Sequence, residues 1–274
     1  GTNDHAYLLR QAVSGNRTAV QSAINAISTG YGADEPEAYA RALYESYSDP
    51  AIGWRRDARR FVIMFGDSVA HDDNLNYGVP NPPYHTGASW RTGYAPGYLD
   101  PGRDGIPGTS DDLDLQTVLS GMEASSVTLL FVVPNHYAQI FPDLPSASVD
   151  TLYKYWQWWA YQTGAGGDAV KLANASDLPT AIKNLVTSAS SRITRLELVA
   201  DPSSYQSWLT VSPPAYTNLT IPPGGLTADF EVDIRVPPGT AVGRDYSFAV
   251  RAVGDGAVYG GQGVTIHVPA NCIT

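Results

Sequence analysis

The chain has 274 residues, 43% of them hydrophobic and 16% charged, with a formal net charge of −10. That is length for one large or two ordinary domains and apolar content for a packed core, which excludes a disordered polyelectrolyte. The acidic balance argues against a nucleic-acid partner, since phosphate binding needs a basic face, and no apolar run approaches the ~20 residues that cross a bilayer.

In chain order, Val20, Ala23, Ile24 and Ile27 have the 3/4 spacing of an amphipathic helix over 18–27. A second helix is expected from about Glu35 to Tyr47, with Pro36 in its first turn and Ala38, Ala42 and Leu43 facing inward. Arg60–Phe65 is a short continuous apolar run, as expected of a central strand covered on both faces. Residues 76–112 are rich in Gly, Pro, Tyr and Asp without periodicity, and a loop of that length usually serves a function or holds a ligand. A helix over Leu115–Ala124, a strand over 126–133, a helix over Val149–Gln162, a short strand at 170–172 and a helix over Leu178–Ser190 follow. This alternation implies a doubly wound α/β sheet with ligands at the carboxyl ends of its strands.

From about Arg195 only strands are expected: 196–199, 209–211, 219–221, 230–236, 246–253 and 264–268, punctuated by proline-rich turns. That pattern argues for an immunoglobulin-like sandwich. The expected organisation is therefore an α/β domain over 1–193 and an all-β domain over 194–274. Cys272 is the single cysteine, so no intrachain disulfide can form. Gly1 is not an initiator methionine, which is compatible with a removed leader.

Two acidic groups could hold a cation. Asp34 and Glu37 lie in the turn before the second helix, and Asp67 follows the first apolar strand; in a doubly wound sheet these loops meet above the strand ends. Hard oxygen ligands of this kind suit Mg²⁺ or Ca²⁺, whereas a plainer role for Asp34 and Glu37 is capping of the helix N-terminus. The second group is the run from Asp100 to Asp114. With Asp100 as position one, Asp104 is five, Gly105 six, the Ile106 carbonyl seven and Asp111 twelve, the ligand rhythm of an EF-hand-like calcium loop. Gly102 at position three and the shorter terminal Asp weaken the set, while Asp112 and Asp114 add charge. The expected affinity is in the extracellular range, roughly 10⁻⁴–10⁻³ M.

The residues Gly32-Ala-Asp34-Glu-Pro-Glu37, Ile52-Gly-Trp-Arg55, Arg60–Phe65, Asp67 and His71, continuing through Thr128–Val133 and Leu172–Ser176, resemble the I-like von Willebrand A domain of integrin β subunits. The resemblance extends into the sandwich, where the integrin chain passes into its hybrid domain. It implies a metal-ion-dependent adhesion site in which Glu37 and Asp67 are ligands, and a neighbouring calcium site using Asp34, Glu37 and a carbonyl near Pro36. It also implies a Rossmann-like A domain whose first strand, with its Asp-x-Ser-x-Ser signature, is missing from this chain; Gly32 replaces an expected Asn ligand. Function by this resemblance is extracellular, cell-surface adhesion or protein recognition stabilised by calcium, in which a protein ligand's carboxylate completes the Mg²⁺ or Ca²⁺ coordination if the upstream segment is present. Contact with that segment or with a neighbouring subunit is expected.

The main alternative is a structural subunit of a surface layer or filament. An enzyme is not expected. Phe65-Gly-Asp-Ser68 is similar to the nucleophile block of a lipase/esterase family, but no late Asp-x-x-His supplies a base. A metallohydrolase on Asp67, His71, Asp72 and Asp73 is a further minor alternative, and no phosphate loop, CxxC pair or HExxH occurs. The aromatic run Tyr153–Tyr161 suits core packing, with an exposed remainder available for contacts.

Overall fold

A computed structural model describes residues 6–28, 37–73, 75–80, 99–134 and 149–270, without the side chains of Val149 and Thr151. Asp34, Gly32, Pro36, the aromatic residues of 81–98 and Cys272 lie outside the described residues. Two compact units divide the chain: Gly1–Arg55 with Arg60–Ser190, and Arg56–Arg59 with Ser191–Thr274.

In the first unit α1 is Arg17–Asn25 and α2 is Tyr39–Ser48. They are followed by β1 Arg60–Phe65, α3 Leu115–Ala124 and β2 Val127–Pro134. Then come α4 Val149–Gln162, β3 Asp168–Leu172 and α5 Leu178–Ser190. The strands form one parallel sheet in the order β1-β2-β3. β2 is the central strand, and its period-two alternation serves two cores. Leu129, Phe131 and Val133 pack with residues of α2, α3 and α4, while Leu130 and Val132 pack with Leu185 and Ala189 of α5.

Arg60–Phe65 is covered on both faces as expected, Val62 and Met64 packing on one core and Phe61 and Ile63 on the other, but among the described residues it is the sheet edge and not a central strand, with Phe65 51% exposed. A continuous apolar run cannot by itself tell a central strand from an edge strand. α2 begins its described helical residues at Tyr39, and its buried positions are Ala40, Leu43, Glu45 and Ser46 rather than Ala38 and Ala42. The aromatic run of α4 is mainly core: Trp156 stacks on Phe131 at 3.8 Å between ring centroids, with Trp159 edge-on to it, while Tyr161 stays exposed.

The second unit contains antiparallel sheets. β4 Arg192–Asp201, β6 Tyr216–Thr220, β8 Arg244–Gly254 and β9 Ala257–Val268 make one sheet in the order β6-β4-β8-β9. β5 Leu209–Ser212 pairs with β7 Glu231–Ile234. Ala200, Trp208 and Phe248 form its buried core, with Tyr205, Tyr246 and Val264 packed around them. Among the described residues no helix is long and apolar enough to cross a membrane.

Candidate metal centre

The residues after β1 turn back beneath α2. Glu37 N–H donates to the Val69 carbonyl at 2.9 Å, and His71 N–H donates to the Glu37 carbonyl at 3.1 Å, a parallel bridge between Glu37 and Ala70. The loop before α2 and the loop after β1 therefore meet, as sequence reasoning expects of a doubly wound sheet. Tyr39 records the consequence. Its phenol is pushed well above its usual value, first by burial, then by the negative charges of Asp67 and Glu37. Glu37 is exposed and Asp67 half-buried.

Asp72 and Asp73, a few residues on, face the start of α3. The Leu115 N–H donates to Asp72 Oδ2 at 2.8 Å, and Asp114, the N-cap, accepts from the Thr117 N–H at 2.7 Å. Both are favourable interactions at the positive end of a helix. Together Asp72, Asp73 and Asp114 are a metal-capable trio: one carboxylate oxygen from each lies within 4.8 Å of the others. Asp72 is buried, Asp114 half-buried and Asp73 exposed. All the donors are hard anionic oxygens, which suits Ca²⁺ or Mg²⁺. A carboxylate can accept an N–H on one oxygen and reach a cation with the other.

The 100–114 loop is organised differently from the EF-hand expectation. Its ends are joined, Leu113 N–H donating to the Asp100 carbonyl at 2.8 Å. Its acidic side chains turn onto the loop's own backbone. Asp111 accepts from the N–H groups of Arg103 and Asp104 at 2.7 and 3.2 Å, Asp112 from Gly108 and Thr109 at 2.7 and 3.2 Å, and Asp104 from Ile106 at 2.7 Å. The Thr109 hydroxyl and these N–H donors hold the Asp111 carboxyl down to about 2. These bonds engage the loop's carboxylates with its own N–H groups. Among the described residues Asp100, Asp104 and Asp111 are not gathered into one metal-capable group, and of the expected ligands only Asp114 joins the trio.

Asp100 nonetheless has an unusual position. It is fully buried; Oδ1 accepts from the Gly102 N–H at 3.1 Å, and Oδ2 has no hydrogen-bond partner. Burial pushes its carboxyl up, against the Gly102 N–H and the charges of His71 and Arg41. Gly102, at φ +65°, lies so close to Asp111 that a Cβ would be 2.5 Å from its Oδ2. Only glycine fits there.

The loop is tied to α2 by charge. Arg103 donates Nε to Glu45 Oε1 at 2.9 Å and a terminal N–H to Oε2 at 2.7 Å, and Arg41 is ion-paired to the same carboxylate at 2.8 Å. Glu45 is 3% exposed. Ser68 is equally buried, its hydroxyl directed to the Val69 carbonyl at 3.4 Å. Sequence reasoning assigned Asp72 and Asp73 to a different grouping with Asp67 and His71, and missed their approach to Asp114; the available signal was the N-cap aspartate directly before the apolar helix at Leu115. No family model matches the chain, and no curated protein matches it in sequence.

Proposed function

We propose that this chain is a cation-dependent protein-recognition module of the extracellular or cell-surface kind, an integrin-β-like von Willebrand A unit followed by an immunoglobulin-like sandwich, and not an enzyme. The carboxylate trio of Asp72, Asp73 and Asp114 carries the reading: three anionic side chains converge at one helix start, and a divalent cation relieves their repulsion. The meeting of the Glu37 and Asp67 loops beside it supports a face of hard oxygen ligands at this end of the sheet. A protein ligand would present a carboxylate to the cation. The parallel sheet with helices on both sides and the antiparallel second unit are compatible with the proposed families. A Ser68 hydrolase is disfavoured because a buried hydroxyl held by a neighbouring carbonyl is no accessible nucleophile.

The edge position of half-buried β1 among the described residues is compatible with a second reading, a structural subunit of a surface layer or filament in which the cation holds the fold. Calorimetry separates the sites. Ca²⁺ and Mg²⁺ are titrated into chelator-stripped protein and into Asp73→Asn, Asp104→Ala/Asp111→Ala and Glu37→Gln/Asp67→Asn variants. Saturable heat lost in Asp73→Asn and kept in the other two places the cation at the start of α3. Loss only with Asp104 and Asp111 moves it to the loop, and loss only with Glu37 and Asp67 moves it to the adhesion-type position. Absence of heat in every protein removes the cation from the reading. A short acidic peptide that binds with Ca²⁺ and not with chelator then distinguishes recognition from a purely structural ion.

A further inference from the structure

The four-stranded sheet of the second unit has two unlike edges. β6 is five residues long, flanked by Pro213, Pro214, Pro222 and Pro223, and interrupted by Asn218 at φ +53°. Shortness, proline and irregularity all blunt an edge against pairing. β9 is twelve residues long and contains no Pro, Lys, Arg, Asp or Glu. Segment 56–59 reaches only its beginning, where the Val258 N–H donates to the Asp57 carbonyl at 3.3 Å. Further along, Gly260, Gly261, Gln262, Gly263, Thr265 and His267 are exposed, and among the described residues no strand pairs with this outer edge. Asp245, opposite His267 on β8, lies against its ring nitrogen at 2.6 Å.

We propose that Gly260–Val268 pairs antiparallel with the same stretch of a second copy of this chain across a twofold axis, joining two sheets into one. A contact of this symmetry must be self-complementary, and the strand's own order of residues meets that demand. With Val264 on the axis, Gly260 faces Val268, Gly261 faces His267, Gln262 faces Ile266 and Gly263 faces Thr265. Each glycine of the first half thus opposes a β-branched or ring side chain of the second, and bulk fills what glycine leaves open. A Cβ built on Gly260 or Gly263 meets nothing within 4 Å, so the space is there. The paired stretch would be roughly 30 Å long at ~3.4 Å per residue. The pairing does not depend on cation binding.

Sedimentation velocity on the full chain across the micromolar range tests it, with Gln262→Lys/Thr265→Lys on the exposed edge and Thr217→Lys on β6 as control. A dimer is expected in the parent chain, its dissociation constant raised roughly tenfold or more by the β9 pair and unchanged by the control. Hydrogen exchange gives a readout free of substitutions: amides of Gly260–Val268 gain protection as concentration rises. A monomer at every concentration, a dimer indifferent to the β9 substitutions, or equal weakening by Thr217→Lys overturns the proposal.

Discussion

Gly66 shows how one atom sets the geometry beside the site. A Cβ there would lie 2.3 Å from the Tyr39 hydroxyl and 2.9 Å from the Phe131 ring. Tyr39 is edge-on to both Phe131 and Trp156, so it cannot yield without disturbing the core. Gly66→Ala is therefore expected to cost about 1–3 kcal/mol by overpacking, read as a lower midpoint in urea denaturation. Glu45 makes the electrostatic counterpart. Hydrogen bonds from Arg103 hold its carboxyl below the usual carboxylate value, against the opposing effect of burial. A depressed folded value means the stabilisation is present above the unfolded value, ~4.3, and is lost as pH falls through the folded one. Asp111, held at about 2, acts in the same direction. Urea midpoints should fall as pH drops below ~4.5, and less steeply in Glu45→Gln than in the parent chain. At neutral pH Glu45→Ala should cost about 2–3 kcal/mol, because the largely covered Arg41 guanidinium loses its ion-pair partner. Arg103→Ala should cost much less than Glu45→Ala, since its exposed guanidinium is screened by water.

Among the elements, what the sequence makes legible depends on how local the signal is. The helices Leu115–Ala124, Val149–Gln162 and Leu178–Ser190, and the strand Arg60–Phe65, have the boundaries their periodicity predicts, because an apolar stripe or run is a local property. β4, β8 and β9 run longer than their apolar alternation, since backbone pairing carries Arg192, Arg244, Gly260 and Gly261 along regardless of side chain. Asp255-Gly256 between β8 and β9, both at positive φ, is a two-residue hairpin turn whose signal stands in the sequence but was not read. The metal-capable trio was hidden for the opposite reason: Asp72 and Asp114 come together only through tertiary packing. α1 tests the limit of local pattern. Its 3/4 spacing and Asn16 cap form a helix, yet it buries no residue, and Ile24 is 56% exposed. A helix that short without packing is marginal in water. Its amides should exchange in seconds to minutes, whereas those of fully buried β2 should approach the global limit in a hydrogen-exchange time course.

At the scale of the whole molecule, the second unit is not contiguous in sequence. Residues 56–59, directly before β1 in sequence, belong to it. Asp255 is the fastening. Its carboxylate accepts the N–H groups of Thr194 at 3.0 Å and Arg195 at 3.3 Å, and pairs with the Arg59 guanidinium at 3.2 Å. Both charged side chains are nearly buried, at 10% and 11% exposure. Arg59 in turn donates to the Arg192 carbonyl at 2.7 Å, and Asp57 pairs with Arg251. One aspartate thus sits in the β8–β9 hairpin turn, accepts N–H groups near the start of β4 and anchors Arg59 of the 56–59 segment. Asp255→Ala strips acceptors from two N–H groups and the partner from a nearly buried arginine, and also removes a residue that tolerates positive φ; about 2–4 kcal/mol is the expected loss. Asp255→Asn keeps the turn and a neutral acceptor, so it should lose about half as much. Hydrogen exchange locates the damage. Faster exchange in β4 and β8 with β2 unchanged is the expected result, because the acceptors all serve the second unit. Equal acceleration in β2 would show that the two units unfold as one body and that Asp255 holds more than the sheet it caps.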